Sequence, residues 1–191
     1  MDVIAALFFD LGSPYAYLTF ARAPAVLGAQ PELRPIVVGP VFAHRGSDTW
    51  GRSPARAENM AEVARRAAAY GLPPVRWADG WPQNTLRAMR AVLWAQREGC
   101  GEAVVCGGFH AAFAQGRDLS DLATLRDVVA RAGLPADALE TAIADPSIKD
   151  ELKQRTTAAI ALGVRGVPVV QIGDALFYGD DRLEEAAAAL Q

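Results

Sequence analysis

The first residue that could do chemistry is Ser13, which stands directly before Pro14 at the start of a predicted helix. The apolar run from Val3 to Phe9 precedes it and is typical of a buried parallel strand. Ligands bind at the carboxyl ends of strands in α/β sheets, and a helix N-terminus stabilises an anion. Ser13 could therefore be only the helix N-cap, or it could donate a hydrogen bond to a thiolate and lower the pKa of that thiol.

Two segments near the end of the chain could contact a ligand at the same edge of a sheet. Pro168 begins an apolar run, where proline is tolerated as an edge residue because it lacks an N–H. The segment Tyr178-Gly179-Asp180-Asp181-Arg182 follows the next apolar run. One of its aspartates is expected to be a helix N-cap and Arg182 a solvated charge, but a carboxylate there could also hold an ammonium group of a ligand.

The remaining nucleophiles and metal ligands lack partners at the required spacing. The chain has no G-x-S-x-G elbow, and both histidines, His44 and His110, lie in its predicted helical part, so a Ser-His-Asp triad is disfavoured. Neither histidine has a companion at ligand spacing, and no metal site is predicted. Cys100 and Cys106 form no C-x-x-C pair and lie on different faces of a helix, which predicts two buried or half-buried free thiols.

Composition disfavours several classes of function. The 191 residues carry a net charge of −3 with 19 scattered basic residues, so no nucleic-acid surface is expected. No apolar run approaches the ~20 residues of a membrane span. The N-terminus, Met1-Asp2-Val3-Ile4, lacks the basic region of a signal peptide. We therefore expect a cytoplasmic protein.

The elements that position these residues follow from the apolar pattern. Ser13-Pro14 opens a helix that Pro24 should kink or end, and a second strand follows from Leu33 to Val38. The middle of the chain contains only helical patterns, with starts predicted at Ser53, Asn84, Val104 and Ser120 and a short helix before Asp145. The end reads as a helix opened by a capping box at Ser147, a hairpin of Val167–Ile172 and Ala175–Tyr178, and a last helix capped by Asp180.

This order predicts an α/β protein with a thioredoxin-like, four-stranded mixed sheet and an all-helical insertion domain. Residues 1–40 and 147–191 would form the thioredoxin-like domain and residues 41–146 the insertion. In such a fold Pro168 would be a cis-proline facing the first helix, and the backbone of Val167 could pair with an extended peptide. Gly163 and Gly166 flank this segment and permit a close approach. Glutathione is a peptide-like ligand that carries a thiol.

Three motifs resemble one family across the chain, in the family's order. Phe9-Asp10-Leu11-Gly12-Ser13-Pro14-Tyr15-Ala16-Tyr17-Leu18 looks like the N-terminal signature of the 2-hydroxychromene-2-carboxylate isomerases, relatives of the kappa-class glutathione transferases and the DsbA oxidoreductases. Asn84-Thr85-Leu86-Arg87-Ala88-Met89-Arg90 resembles the family motif of the helical domain. Gly166-Val167-Pro168 and Gly179-Asp180-Asp181-Arg182-Leu183 are similar to the C-terminal motif.

The resemblance implies a glutathione-dependent isomerase of bacterial, naphthalene-type aromatic catabolism. Its substrate would be 2-hydroxychromene-2-carboxylate, converted to trans-o-hydroxybenzylidenepyruvate by reversible addition of a thiolate to a conjugated double bond. Ser13 would be the catalytic residue that activates the glutathione sulfur. The family pattern places the rest of the tripeptide on Val167, Pro168, Gly179, Asp180, Asp181 and Arg182. A homodimer would also fit the family.

The chain departs from its relatives at two places, and the resemblance leaves two alternatives open. Relatives often carry a substrate-binding lysine after the second strand, whereas here His44 or Arg45, together with Asn84, would meet the substrate. Several relatives have asparagine where Asp180 stands. The alternatives are a kappa-type glutathione transferase acting on other electrophiles and a non-catalytic glutathione-binding relative. A disulfide oxidoreductase is disfavoured because no cysteine follows the first strand.

Overall fold

A computed structural model describes residues 4–190, and a four-stranded mixed sheet of order β2-β1-β3-β4 lies at its centre. The strands are β1 (Ala6–Phe9), β2 (Glu32–Pro35), β3 (Val169–Ile172) and β4 (Ala175–Tyr178). β1 runs parallel to β2 and antiparallel to β3, and β3 and β4 form the predicted hairpin. The thioredoxin-like α/β fold is therefore confirmed. Val3, predicted in the first strand, lies outside the described residues.

Helices cover both faces of this sheet and fill the middle of the chain. They are α1 (Pro14–Leu27), α2 (Val38–His44), α3 (Arg56–Ala69), α4 (Leu86–Arg97), α5 (Gly101–Phe109), α6 (Leu122–Arg131), α7 (Leu139–Ala144), α8 (Pro146–Ala161) and α9 (Leu183–Ala188). A π-helical turn, His110–Ala114, extends α5, and short 3-10 turns lie at Trp50–Arg52, Ala136–Ala138 and Asp180–Arg182.

The first β-α-β unit differs from its prediction at two points. Of the two effects predicted for Pro24, a kink or an end, the end is wrong: α1 continues to Leu27, because Gly28, whose φ of 78° is the left-handed conformation that terminates helices, provides the stop. The second strand ends at Pro35 rather than Val38, because Val38 begins α2. Ser13 is the N-cap of α1 as predicted, since its Oγ accepts a hydrogen bond from the Ala16 amide at 3.2 Å.

Several other predicted helix starts are wrong by one to three residues. Asp121, not Ser120, caps α6, and Asp145, not Ser147, caps α8, because in both cases the aspartate carboxylate accepts the amide hydrogen bonds of the first turn. α3 begins at Arg56 without a side-chain cap from Ser53. The prediction for Asp180 is also wrong, because its carboxylate is engaged elsewhere and does not cap α9.

Two buried apolar clusters, one on each face of the sheet, join the sheet to the helices. Leu7 and Phe9 of β1 pack into the larger apolar cluster, which also contains Val92 and Leu93 of α4. Phe8, with its side chain on the other face of the strand, belongs to a smaller cluster against α8. The larger cluster contains residues from both parts of the predicted domain division, which itself stays a prediction.

The two cysteines differ in their exposure to solvent. Cys100 is half-buried, but Cys106 is exposed, so the prediction of a buried or half-buried thiol is wrong for Cys106.

Over residues 4–190, none of the helices has the length and apolar character needed to cross a bilayer.

Candidate active site

Ser13 and the loop before β3 meet at the N-terminus of α1. The Ser13 hydroxyl donates a hydrogen bond to the carbonyl oxygen of Val167 at 3.3 Å, across 154 residues of sequence. The Val167–Pro168 peptide bond is cis, as predicted. The amides of Tyr15 and Val167 have no hydrogen-bond partner among residues 4–190. A half-buried hydroxyl, two free N–H groups and the positive end of a 14-residue helix therefore converge at one point.

A cleft of about 1240 Å³ opens directly over this point. Its wall includes most of the predicted site residues, namely Ser13, Asn84, Val167, Pro168, Gly179, Asp180 and Asp181. These residues come from three separate parts of the chain, and the fold brings them together.

Three predicted site residues do not line this cleft. His44 is exposed at the last turn of α2. The Arg45 guanidinium donates to the carbonyl oxygen of Arg165 at 2.8 Å, and the Arg182 guanidinium forms an ion pair with Glu185. These three side chains therefore have no direct place in the cleft wall.

The floor of the cleft is organised by Asp10, which the sequence did not single out. Its carboxylate is fully buried and accepts hydrogen bonds from the Thr85 hydroxyl at 2.6 Å and from the amides of Gly12 at 2.9 Å and Val38 at 3.0 Å. Burial raises the pKa of Asp10, although these three donors oppose the shift. One carboxylate thus ties the end of β1 to the starts of α2 and α4.

Asp180 holds the opposite side of the cleft. Its carboxylate is 1% exposed, forms an ion pair with Arg66 at 2.7 Å and accepts a hydrogen bond from the Tyr70 hydroxyl at 3.1 Å. Burial raises the pKa of Asp180, and the Arg66 charge and the Tyr70 hydrogen bond oppose that shift. Because both Asp180 oxygens have partners in the protein, the exposed Asp181 is the aspartate better placed to hold a ligand cation.

A group of aromatic side chains covers one wall. Trp50 and Trp81 line the cleft with their ring centroids 4.9 Å apart, and Tyr15 lies 6.0 Å from Trp50. Trp77 supports Trp81 from behind at 4.6 Å. Such a wall offers flat apolar area to an aromatic ligand. The clustering of three of the four tryptophans within residues 50–81 was the available sequence signal.

The sheet order, the cis-proline loop and the helix N-terminus define a thioredoxin-like protein that carries serine at the position of the reactive thiol. A family model described as DSBA-like thioredoxin domain matches residues 5–191. The chain is 31% identical to 2-hydroxychromene-2-carboxylate isomerase of Sphingobium xenophagum, over 93% of this chain and 92% of that protein. It therefore belongs to the DsbA-like thioredoxin family and, within it, to the isomerase family that its motifs indicated.

Two further similarities agree with this assignment. Glutathione S-transferase kappa 1 of Homo sapiens is 24% identical over 96% of this chain and 89% of its own length. A solved structure of 2-hydroxychromene-2-carboxylate isomerase superposes with a TM-score of 0.87, covering 98% of this chain and 94% of that one. At 23% identity this last similarity supports the fold.

Proposed function

We propose that this protein is a glutathione-dependent cis–trans isomerase that converts 2-hydroxychromene-2-carboxylate to trans-o-hydroxybenzylidenepyruvate. The main support is the position of the Ser13 hydroxyl, at a helix N-terminus and 3.3 Å from the carbonyl oxygen of Val167. Within the described chain neither cysteine lines the cleft. A sulfur nucleophile at this point must therefore come from a bound thiol.

The residues around Ser13 fit a thiol tripeptide. The free Val167 amide can pair with an extended backbone, as an added strand would. The Asp181 carboxylate can hold an ammonium group, and the free Tyr15 amide adds to the positive potential beside Ser13. The cleft also exceeds the about 300–1,000 Å³ of an ordinary small-molecule pocket, so it has room for a second molecule. A relative named as a glutathione transferase supports the choice of glutathione.

When bound, glutathione would supply a thiolate whose reversible addition makes the conjugated carbon–carbon bond single, so that rotation and elimination can follow. Ser13 would donate its hydroxyl hydrogen bond to the sulfur in place of the Val167 carbonyl, which favours the thiolate over the thiol. The N-terminus of α1 would stabilise the same negative charge. Trp50 and Trp81 would hold the ring system beside the reacting bond and keep water away from it.

A kappa-type glutathione transferase is the second candidate, because the human kappa relative covers almost the whole chain. The same Ser13 would then activate glutathione toward other electrophiles. A third alternative is a relative that binds glutathione without catalysis.

The deciding experiment compares two assays of the purified protein with glutathione present and absent. One follows chromene isomerisation by absorbance, and the other follows conjugation to a haloarene. The proposal expects glutathione-dependent isomerisation that exceeds conjugation. Isomerisation at the same rate without any thiol would refute the mechanism, and conjugation alone would favour the transferase.

A further inference from the structure

Arg90 on α4 is a cation in the cleft wall for which the described protein provides no anion. Its side chain is half-buried, and its Nε is buried without a hydrogen-bond partner. Throughout residues 4–190 it forms no ion pair. Because an unpaired buried charge is costly, such a guanidinium is suited to an anion that arrives from outside.

Two lysines reinforce the positive charge at this end of the cleft. Lys149 and Lys153 lie one turn apart on α8, which packs against α4, and both line the cleft with exposed side chains. Neither forms an ion pair within the described part of the chain. Asp150 is the acidic residue of α8 that lines the cleft with them, and Glu151 is paired with Arg97 and Arg155, so the local balance of Arg90, the two lysines and Asp150 remains positive.

Arg90 lies in the same cleft as Ser13, on the helix that begins at the cleft floor. Arg90 follows Thr85 by five residues on α4, which is about 7.5 Å along the helix axis. Thr85 contacts the Asp10 carboxylate on the floor beside Gly12 and Ser13. Arg90 therefore lies farther along α4 than the floor beside Ser13, and Leu86 and Leu152 are apolar residues in the same cleft wall.

We propose that Arg90, assisted by Lys149 and Lys153, binds the carboxylate of an aromatic acid substrate. This inference rests on the proposed function, because it assigns the thiol to Ser13 and the acid to Arg90 in the same cleft. A guanidinium fork donates hydrogen bonds to both oxygens of a carboxylate, and the partly apolar surroundings strengthen that contact. Arg90 thereby takes the role that the sequence suggested for His44 or Arg45.

The test measures binding of 2-naphthoate and of neutral 2-naphthamide by equilibrium dialysis, without thiol. The unmodified protein should bind the acid at least tenfold more tightly than the amide. Arg90→Gln should remove that preference, and Arg90→Lys should restore part of it. Arg87→Gln, on the exposed face of the same helix, is the matched control and should bind the acid as the unmodified protein does.

The double variant Lys149→Gln/Lys153→Gln keeps the proposal testable if Arg90→Gln does not fold, because both lysine side chains are exposed. It should weaken naphthoate binding about three- to tenfold and reduce its dependence on salt. Equal binding of acid and amide, or unchanged acid binding in Arg90→Gln, would overturn the proposal. So would displacement of naphthoate by glutathione, since the guanidinium would then hold the tripeptide. Failure of the proposed function would instead appear as absent glutathione binding with naphthoate binding intact.

Discussion

The Asp180 carboxylate on the turn before α9 forms an ion pair at 2.7 Å with Arg66 of α3, a residue 114 positions earlier in the chain. This contact fixes the Gly179–Asp181 side of the cleft to the helical part of the molecule. The Arg66 side chain is 25% exposed, whereas the Asp180 side chain is 1% exposed. Loss of the ion pair would therefore leave the buried carboxylate charge without a partner, whereas water can still reach the guanidinium.

Arg66→Gln should therefore destabilise the protein in a pH-dependent manner. Burial already raises the folded pKa of Asp180, and loss of the Arg66 charge raises it further. Because the pKa of Asp180 is higher in the folded than in the unfolded protein, ionising this carboxyl lowers the free energy of unfolding. The loss is absent well below the unfolded pKa, near 3.8, and appears as the pH rises above that value. At pH 7 we expect a loss of about 3 kcal/mol by urea unfolding, shrinking toward pH 4.

Arg65→Gln is the matched control for that measurement. Arg65 is the exposed neighbour that also pairs with Glu62, and its loss should cost about 0.5 kcal/mol or less at every pH. A gap between Arg66→Gln and the unmodified protein that stays constant from pH 4 to pH 7 would contradict the role assigned to Asp180.

Ser13→Ala should lower the glutathione-dependent rate by about 10- to 100-fold, because a hydrogen bond to a charged group is worth about 1.5–3 kcal/mol. The lost N-cap should cost about 1 kcal/mol of folding stability, so circular dichroism should still show a folded protein. The pH profile of the rate should shift upward as the thiol pKa rises. Ser120→Ala, at a residue outside the cleft wall, is the control and should change neither the rate nor its pH profile. Equal rates for the two variants would exclude Ser13 from catalysis.

Thr85→Val should destabilise the floor of the cleft with little change in volume. The variant removes the 2.6 Å hydrogen bond to Asp10 while the amides of Gly12 and Val38 keep theirs. We expect a loss of about 1.5–3 kcal/mol, measured as a lower urea midpoint with an unchanged m-value. Thr85→Ser retains the hydroxyl and should recover most of this loss. If Thr85→Ser is as unstable as Thr85→Val, packing of the methyl group, and not the hydrogen bond, holds the floor.

Gly166→Ala should disturb the loop that carries Val167. A Cβ at this position would overlap the Tyr178 hydroxyl, so the tyrosine ring must move. We expect a cost of about 1–3 kcal/mol, and the second change Tyr178→Ala should relieve much of it in a double-mutant cycle. Gly39→Ala is the control, because a Cβ there meets nothing within 4 Å. Additive losses in the cycle would show that the two residues do not interfere.

The order of elements and the centre of the site could be predicted because their signals are local. Ser13-Pro14, the Gly173-Asp174 turn and the alternation of apolar residues each encode a backbone conformation within a few positions. The helix caps predicted at Ser120 and Ser147 also rested on local signals, but a neighbouring aspartate took the role in each case. Asp121 displaced Ser120 as a cap because a carboxylate beside a hydroxyl accepts the same amides more strongly.

The sequence by itself determined the thioredoxin-like topology, the serine at the start of α1 and the cis-proline that faces it. Only the tertiary structure decided which charges face the cleft. His44, Arg45 and Arg182 lie outside the cleft wall, Asp180 is buried against Arg66, and the half-buried Arg90 lines the cleft together with Lys149 and Lys153. The physical reason is that a charge acquires its role from partners that lie far away in the sequence. Those distances are set by helix packing and are not encoded in any short pattern of residues.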